Sequence, residues 1–436
     1  MMKKVLIISY LFAPDNKIGS VRPTKIAKYF ALNDICVDVV TKNHAEDQNN
    51  GLNTHDLVNI NRIIEIDHSA YFKCKVRSSN NIKYGIKQKL LADKESKLHK
   101  MLGILFRWIM DLYQSYDFYK QFKIYYKNNL KRFKGYDVVI STFGPAASLF
   151  CGYYLKKYQR DITWVCDFRD PMVVEFSPCY SRLILSIIQK KACIAADYVT
   201  AVSRGYLHRI CRNNFKNKAF FIPNGYDNDD YYMSANNISE NRFSFTYAGY
   251  LYEGKRDISP LFAVFKELID EGYMYKGDVV FEYAGDEFNI LVKQAKKYNM
   301  NDILFNHGFL NRDACLQLQF SSRFLVLSTW NNKGEEGVFP GKFLEYMLIK
   351  KPIISIVVGN LPNSEVTEVM DAANLGVSYE SVRHDTDYSA LREYIKKEYL
   401  RFKEGLGPDF SPKTEVIEHY NYKNIAKQFE ELFDIC

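Results

Sequence analysis

Short apolar runs rich in valine and isoleucine alternate with longer amphipathic stretches, and this alternation occurs in two rounds. In the first round, residues 4–9 (KVLIIS), 36–41 (CVDVVT), 136–142 (YDVVIST), 162–167 (ITWVCD), 198–203 (YVTAVS) and 219–223 (AFFIP) read as buried strands. Helices are predicted over 24–32, 145–158 and 181–196. The pattern restarts after residue 240. Strands are predicted at 243–249, 279–285, 303–308, 323–328 and 352–357, with helices following at 258–272, 289–299, 312–320 and 341–351. Strands that are apolar throughout and separated by helices imply parallel sheets covered on both faces, the doubly wound α/β class. A polar stretch near 224–242 reads as the linker between two such domains. A last amphipathic helix is expected at 421–434.

One segment breaks the alternation. Residues 70–134 hold 16 lysines and arginines but 4 acids, with aromatics interleaved, and read as an insertion of one or two amphipathic helices. Such a segment is either a solvated helix face packed on its domain or a contact for a membrane surface or acidic substrate. The asymmetry extends further. Residues 1–220 carry 36 basic against 18 acidic side chains, a net of +18, and the remainder carries −10. The composition, 47% hydrophobic and 25% charged over 436 residues, suits folded domains and excludes a disordered chain. No apolar run is long enough to span a bilayer. The basic, apolar N-terminus runs straight into a Pro/Asp/Asn loop and reads as a first strand, not a signal peptide. Nine scattered cysteines without a C-x-x-C pair predict reduced thiols and no zinc site.

Ligands of open α/β sheets bind at the carboxyl ends of strands, and candidate chemistry is found at several of them. After the first strand, Gly19 and Ser20 stand before a helix, where backbone N–H groups can cradle an anion and Arg22 adds charge. The plain alternative is an ordinary strand-to-helix turn. No G-x-G-x-x-G is present, which counts against a nicotinamide dehydrogenase. Ser141, Thr142, Gly144 and Pro145 close one strand, and Asp167, Arg169 and Asp170 close the next. Two acids flanking an arginine suit an acceptor-side cluster in which Asp170 or Asp167 positions a hydroxyl. The alternative is a structural Asp–Arg pair.

The second round carries stronger signals. Lys255 and Arg256 follow the strand that ends at Gly249 and precede a helix, a placement suited to a diphosphate. Gly285 and Gly308 end two further strands and permit close backbone approach. A Gly-rich loop with Glu335 and Glu336 feeds a helix through Pro340, Gly341 and Lys342, and Glu345 follows on that helix. Free N–H groups at such a helix start bind phosphate, and an acid one turn on can accept both hydroxyls of a ribose.

The two-sheet layout, GYLYEGK (249–255), IPNGYD (222–227), WVCDFRDPM (164–172) and the acidic loop-to-helix segment resemble GT-B glycosyltransferases. The likeness is to family 4, nucleotide-sugar-dependent retaining enzymes of bacterial surface polysaccharide synthesis such as capsule and lipopolysaccharide. The resemblance implies two Rossmann-like domains facing a cleft: an acceptor domain over 1–228, a donor domain over 229–415 and a helix over 416–436 crossing back to the first. Lys255 matches the family's phosphate-binding lysine and Glu345 the ribose ligand, the second glutamate of E-x7-E. The first glutamate's position is Gly337, and Glu336 stands one residue earlier.

The implied catalytic group is thus Asp170, Asp167, Lys255 and Glu336. The implied donor site is Gly249, Lys255, Arg256, Gly285, His307, Gly308, Phe309, Glu336, Gly341, Lys342 and Glu345. The implied acceptor site is Gly19, Ser20, Arg22, Thr142, Gly144 and Arg169. A UDP- or GDP-type sugar serves as co-substrate, with no metal and no other cofactor. The acceptor is a lipid-linked or growing glycan, an anionic membrane surface is a partner, and nucleic acid is not. The implied location is cytoplasmic, peripheral on the inner face of the plasma membrane. Asp227-Asn228-Asp229 and Asp385-Thr386-Asp387 are read as structural despite their D-x-D form. Two other functions remain open: a nucleotide-sugar epimerase, which would turn over without acceptor, and a non-catalytic binding partner of a transferase.

Overall fold

The computed structural model describes residues 3–15, 17–44, 54–73, 97–173, 179–211, 218–230 and 242–434. The chain forms two compact units. One comprises Met1–Val202, Tyr206–Pro223 and Ile425–Cys436, and the other Ser203–Gly205 and Asn224–Asn424.

The sheet of the first unit contains β1 (Lys4–Ile8), β2 (Cys36–Lys42), β3 (Arg62–Ile66), β4 (Val138–Phe143), β5 (Thr163–Phe168), β6 (Tyr198–Ala201) and β7 (Ala219–Phe221), in the order β3-β2-β1-β4-β5-β6-β7. Every pairing is parallel. The order reverses between β1 and β4, which creates a crevice at their carboxyl ends. The six strands expected in this half are present. β3 is an addition, because its RIIEI pattern alternates buried and open positions and is short.

The basic insertion is one helix, Lys97–Asn128, as far as the described residues go; 74–96 lie outside them. Its Phe118, Phe122 and Tyr126 are buried in the core with Trp164, Leu149 and Leu155. Phe122 meets Phe133 edge-on at 5.8 Å, and Tyr126 meets Tyr154 at 5.5 Å. This half of the insertion is therefore a packed layer of the domain. On another helix, Ile18–Leu32, Phe30 packs against Phe429 and Phe433 of the last helix, Tyr422–Asp434.

Where the insertion meets the strand ends, His68 Nδ1 lies 2.8 Å from Asp117 and Nε2 lies 2.8 Å from the Tyr10 hydroxyl. Burial lowers the His68 pKa and outweighs the opposing pull of Asp117. The folded state then binds fewer protons than the unfolded chain just below pH about 6.5, so stability must fall as pH drops through that window. Replacing His68 by Gln is expected to flatten this slope in melts taken between pH 7 and 5. An unchanged slope would show that the histidine does not report the fold.

The second unit repeats the plan with β8 (Phe243–Ala248), β9 (Val279–Ala284), β10 (Leu304–Gly308), β11 (Phe324–Asn331), β12 (Ile353–Gly359) and β13 (Gly376–Glu380), in the order β10-β9-β8-β11-β12-β13. All pairings are again parallel. β11 shows why its run is continuously apolar. Phe324 and Val326 join a core with Phe243, Phe265 and Leu391, while Leu325 and Leu327 join one with Phe343, Met347 and Val366. The switch point lies between β8 and β11.

The units divide at Pro223/Asn224 and Asn424/Ile425, five and nine residues from the 228/229 and 415/416 boundaries of the sequence reading. The cause is local pairing: Tyr226 N donates to the Tyr420 carbonyl, and Tyr422 N donates to the Tyr226 carbonyl, both at 2.9 Å. Ile417 and Tyr420 complete the core of the second unit.

Candidate functional site

In the second unit the chain leaves β8 through a tight turn, Leu251–Glu253, in which Tyr252 (φ 52°) and Glu253 (φ 55°) are left-handed. Two adjacent non-glycine residues in this region carry a conformational cost. Glu287 compensates it. Its carboxylate accepts hydrogen bonds from the backbone N–H groups of Leu251, Tyr252 (2.9 Å) and Glu253 (3.0 Å).

The turn delivers Lys255 and Arg256 to the switch point. Lys255 Nζ stands 4.0 Å from the centroid of Trp330, the penultimate residue of β11, and Arg256 lies 5.7 Å from the same ring. Lys255 also donates to both oxygens of Glu335 at 2.9 and 2.8 Å. Arg256 contacts the Tyr247 hydroxyl at 3.4 Å and the Tyr250 carbonyl at 3.2 Å. Two cations thus lie beside the Trp330 ring, with Arg256 nearer still to Tyr252 at 4.6 Å.

The second element is the helix Gly341–Ile349. Its N-cap is Pro340, and no side chain caps it. The helices Ser259–Asp270 and Phe288–Lys296 likewise have no side-chain cap, whereas Asn311 and Ser364 cap the helices Arg312–Ser321 and Glu365–Ala373 with bonds from Ala314 N (2.9 Å) and Thr367 N (3.1 Å). Lys342 Nζ donates to Glu345 at 2.7 Å and contacts Cys315 Sγ at 3.5 Å. Burial presses the Lys342 pKa down, but Glu345 and Cys315 outweigh it and hold the amine above the usual lysine value. Cys315 packs against Ala248 and Ala284, the last residues of β8 and β9. Lys342 and Glu345 are thereby brought to the strand ends that precede Gly249 and Gly285.

Gly249 N donates to the Ala284 carbonyl and Gly285 N to the Gly308 carbonyl, both at 2.9 Å, so the three glycines line adjacent strand ends. His307 pairs with Glu282, and Phe309 is exposed just beyond Gly308.

In the first unit, Arg169 lies against the first turn of the helix Ile18–Leu32 and the turn after β4. Its guanidinium lies so close to Gly19 and Gly144 that a Cβ on either would stand 1.9 or 2.5 Å from its nitrogens. A side chain at either position would have to displace that guanidinium, and Gly144 (φ 126°) also adopts a backbone conformation that favours glycine. Arg169 also pairs with the half-exposed Asp170 at 3.0 Å. Thr142 is buried, and its hydroxyl has no hydrogen-bond partner among the described residues.

Three expectations are corrected here. Arg22 and Asp167 are core residues, 1% and 0% exposed, and they pair with each other. Arg22 Nε donates to one Asp167 oxygen at 3.0 Å and Nη2 to the other at 2.9 Å. Thr200 Oγ1 donates to Asp167 at 2.7 Å, and Arg22 also reaches the carbonyls of Ile222 and Pro223. A fully enclosed pair has no face for a substrate, so Asp167 is not catalytic and Arg22 is not an acceptor ligand. Ser20 is likewise buried, its hydroxyl 2.6 Å from the Asp15 carbonyl. The helix begins at Ile18, not at 24, which turns Ser20 and Arg22 into helical residues.

Two residues that shape the cationic site, Trp330 and Glu287, were not expected from the sequence, and Glu335 was expected only as part of the Gly-rich loop. Of the two acids of that loop, Glu335 pairs with Lys255. Spacing alone could not choose between two adjacent acids. Trp330 carried a signal, an aromatic at the end of an aliphatic strand. Glu287 carried none, because its partners are backbone groups 34–36 residues away. The D-x-D strings serve the backbone. Asp227 accepts from Asp229 N at 3.1 Å, and Asp387 accepts from Glu380 N at 3.0 Å.

No protein-family model matches the chain, and no curated protein matches it. Solved structures do. A sucrose-phosphate synthase from Thermosynechococcus elongatus superposes with a TM-score of 0.59 at 14% identity, over 99% of this chain and 98% of that one. The lipopolysaccharide outer core galactosyltransferase WaaB gives 0.57 at 14% identity, covering 100% of both chains. A trehalose-6-phosphate structure from E. coli, bound with UDP-2-fluoro glucose, gives 0.57 at 10% identity over 99% of both. With two parallel Rossmann-like sheets and a likeness that runs the length of the chain, the protein has the GT-B glycosyltransferase fold.

Proposed function

We propose that the protein is a glycosyltransferase. It moves a hexose from a UDP- or GDP-type sugar to a lipid-linked or growing glycan acceptor in bacterial surface polysaccharide synthesis, with retention of configuration. The observation that carries this reading is the pair Lys255 and Arg256 over Trp330 at the β8/β11 switch point. The placement of Lys342 and Glu345 beside the ends of β8 and β9 supports it, as do the names of the structural neighbours, one of them bound with UDP-2-fluoro glucose.

In this reading Lys255 and Arg256 take the charge that develops on the departing diphosphate. Glu335 gives up Lys255 as the phosphates arrive, and the N–H groups of Gly341 and Lys342 hold a phosphate oxygen. Glu345 accepts the ribose hydroxyls. Gly249, Gly285, His307, Gly308 and Phe309 line the donor, and Glu336 reaches the donor sugar. On the acceptor side, Gly19, Thr142, Gly144 and Arg169 form the binding surface, and Asp170 orients the attacking hydroxyl. The leaving diphosphate takes the acceptor's proton on the same face, so no protein nucleophile is needed. Catalysis then rests on positioning and charge. No metal takes part, and added chelator leaves activity intact. A lipid-linked acceptor makes this a peripheral protein of the inner membrane face.

Replacing Glu345 by Ala is expected to weaken nucleotide-sugar binding by about 10–100-fold, the worth of a charged hydrogen bond. Calorimetry reads it, and an unchanged affinity would remove Glu345 from the site.

A further inference from the structure

We propose that the helix Cys179–Ala195 is the element that seats the first unit on an anionic lipid surface, its aliphatic outer face entering the headgroup region. This names the surface for the membrane partner given above, and it does not depend on the donor chemistry.

The helix has two apolar faces where a helix at a domain surface needs one. Its inner face is accounted for: Ala192 and Cys193 are buried in the core of the first unit, with Leu185 and Ile188 packed against it. The outer face should then be polar. Instead, Leu183 is 65% exposed, Ile187 47% and Ile194 58%, with Ile184 beside them at 42%. Positions 183, 187, 190 and 194 follow the 3–4 spacing of a single stripe. Single exposed aliphatics need no explanation, but a contiguous stripe of them marks an interaction surface.

Charge identifies what covers it. The helix, CYSRLILSIIQKKACIA, has no acid, and Arg182, Lys190 and Lys191 are its charged residues. Lys190 stands within the stripe and Lys191 on its border. All three are exposed. Aliphatics entering the interface with lysines at headgroup level are the pattern of a helix lying in the membrane plane. A second copy of the chain would bring the same cations, on a half that already carries +18, against each other. Anionic headgroups complement them. The neighbouring helix Ala147–Tyr158 packs beside this one and exposes Tyr153 and Tyr158, side chains suited to a boundary with one wet side. Among the described residues no helix is long and apolar enough to cross a membrane, so contact would be lateral.

The test is co-sedimentation of the full chain with vesicles of phosphatidylcholine alone or mixed with phosphatidylglycerol. The wild type should bind the mixed vesicles, and binding should fall as salt rises. The variant Leu183→Ser/Ile187→Ser/Ile194→Ser should lose at least about tenfold in partitioning. Its melting temperature and nucleotide-sugar binding should stay unchanged, because all three side chains point away from the core. Lys190→Glu/Lys191→Glu should lose the preference for phosphatidylglycerol. Equal vesicle binding by the serine variant would overturn the proposal. So would a wild-type dimer that the same substitutions split on size exclusion without changing vesicle binding, which would make this face a contact between copies. Failure to bind any nucleotide sugar would overturn the transferase reading and leave this one standing.

Discussion

Replacing Asp167 by Ala should lower the unfolding free energy by about 3–5 kcal/mol, the cost of breaking a buried ion pair by removing one partner. The guanidinium of Arg22 would remain where it is, 1% exposed and held by the carbonyls of Ile222 and Pro223, but without a countercharge. Thr200 would also lose the acceptor for its hydroxyl. These groups tie the first helix, β5, β6 and the chain segment after β7 together, so the loss should register in the transition of the whole first unit. The denaturant midpoint of that transition is the readout. A catalytic aspartate would behave in the opposite way, with activity lost and the midpoint kept, so this substitution separates the two roles outright.

Replacing Lys255 by Ala should reduce kcat by about 10²–10³-fold, the usual cost of deleting one preorganised donor to a developing charge. The lysine is held in place by three devices: the turn anchored by Glu287, the Trp330 ring and the two oxygens of Glu335. Preorganisation of this kind lets the amine meet the leaving diphosphate without first being ordered. The fold should tolerate the change, because Lys255 is a part-exposed loop residue and its pair with Glu335 is not enclosed. A loss of kcat at constant melting temperature is therefore the expected signature. Steady-state turnover of the sugar donor measures it, and unchanged turnover would take Lys255 out of the mechanism.

Much of the fold was legible because both sheets are parallel and covered. Runs such as KVLIIS and RFLVLS have no polar interruption between their ends, as a strand covered on both faces requires, and the helices between them point to a parallel sheet. The elements that escaped notice have weaker patterns. The helix His384–Lys403 buries Leu391, Ile395, Glu398 and Tyr399, a thin stripe in a highly charged stretch. β13 is GVSYE at the sheet edge, with three of five positions half-open.

The candidate site divides along the same line. Lys255, Lys342 and Glu345 could be found because each follows a strand end or opens a helix, places where the backbone itself attracts anions. The error at Asp167 and Arg22 came from the same rule applied without burial. A carboxyl end of a strand can face the crevice or the core, and β5 is buried throughout from Trp164 to Phe168, Asp167 included, whereas Asp170, beyond the strand, is in solvent. A structural Asp–Arg pair was a fair reading of that segment, but the arginine involved is Arg22, 145 residues away, not Arg169.

The charge asymmetry now has a structural setting. The basic half of the chain coincides with the first unit, whose outer helices combine lysines with exposed aliphatic side chains. The acidic half contains a local cationic pocket at its switch point, so its net charge does not oppose the binding of an anionic donor.

The central claim is that the second unit binds a nucleoside-diphosphate sugar through Lys255 and Glu345. Thermal shift of the full chain against a panel of UDP- and GDP-sugars, run beside the Lys255→Ala and Glu345→Ala variants, tests it most directly. At least one sugar nucleotide should raise the wild-type melting temperature, reflecting about 2.7 kcal/mol of stabilisation at a hundredfold excess over Kd, and in both variants that stabilisation should fall to about half or less at the same ligand concentration. A panel with no stabilising member, or one that stabilises the variants as much as the wild type, would contradict the account.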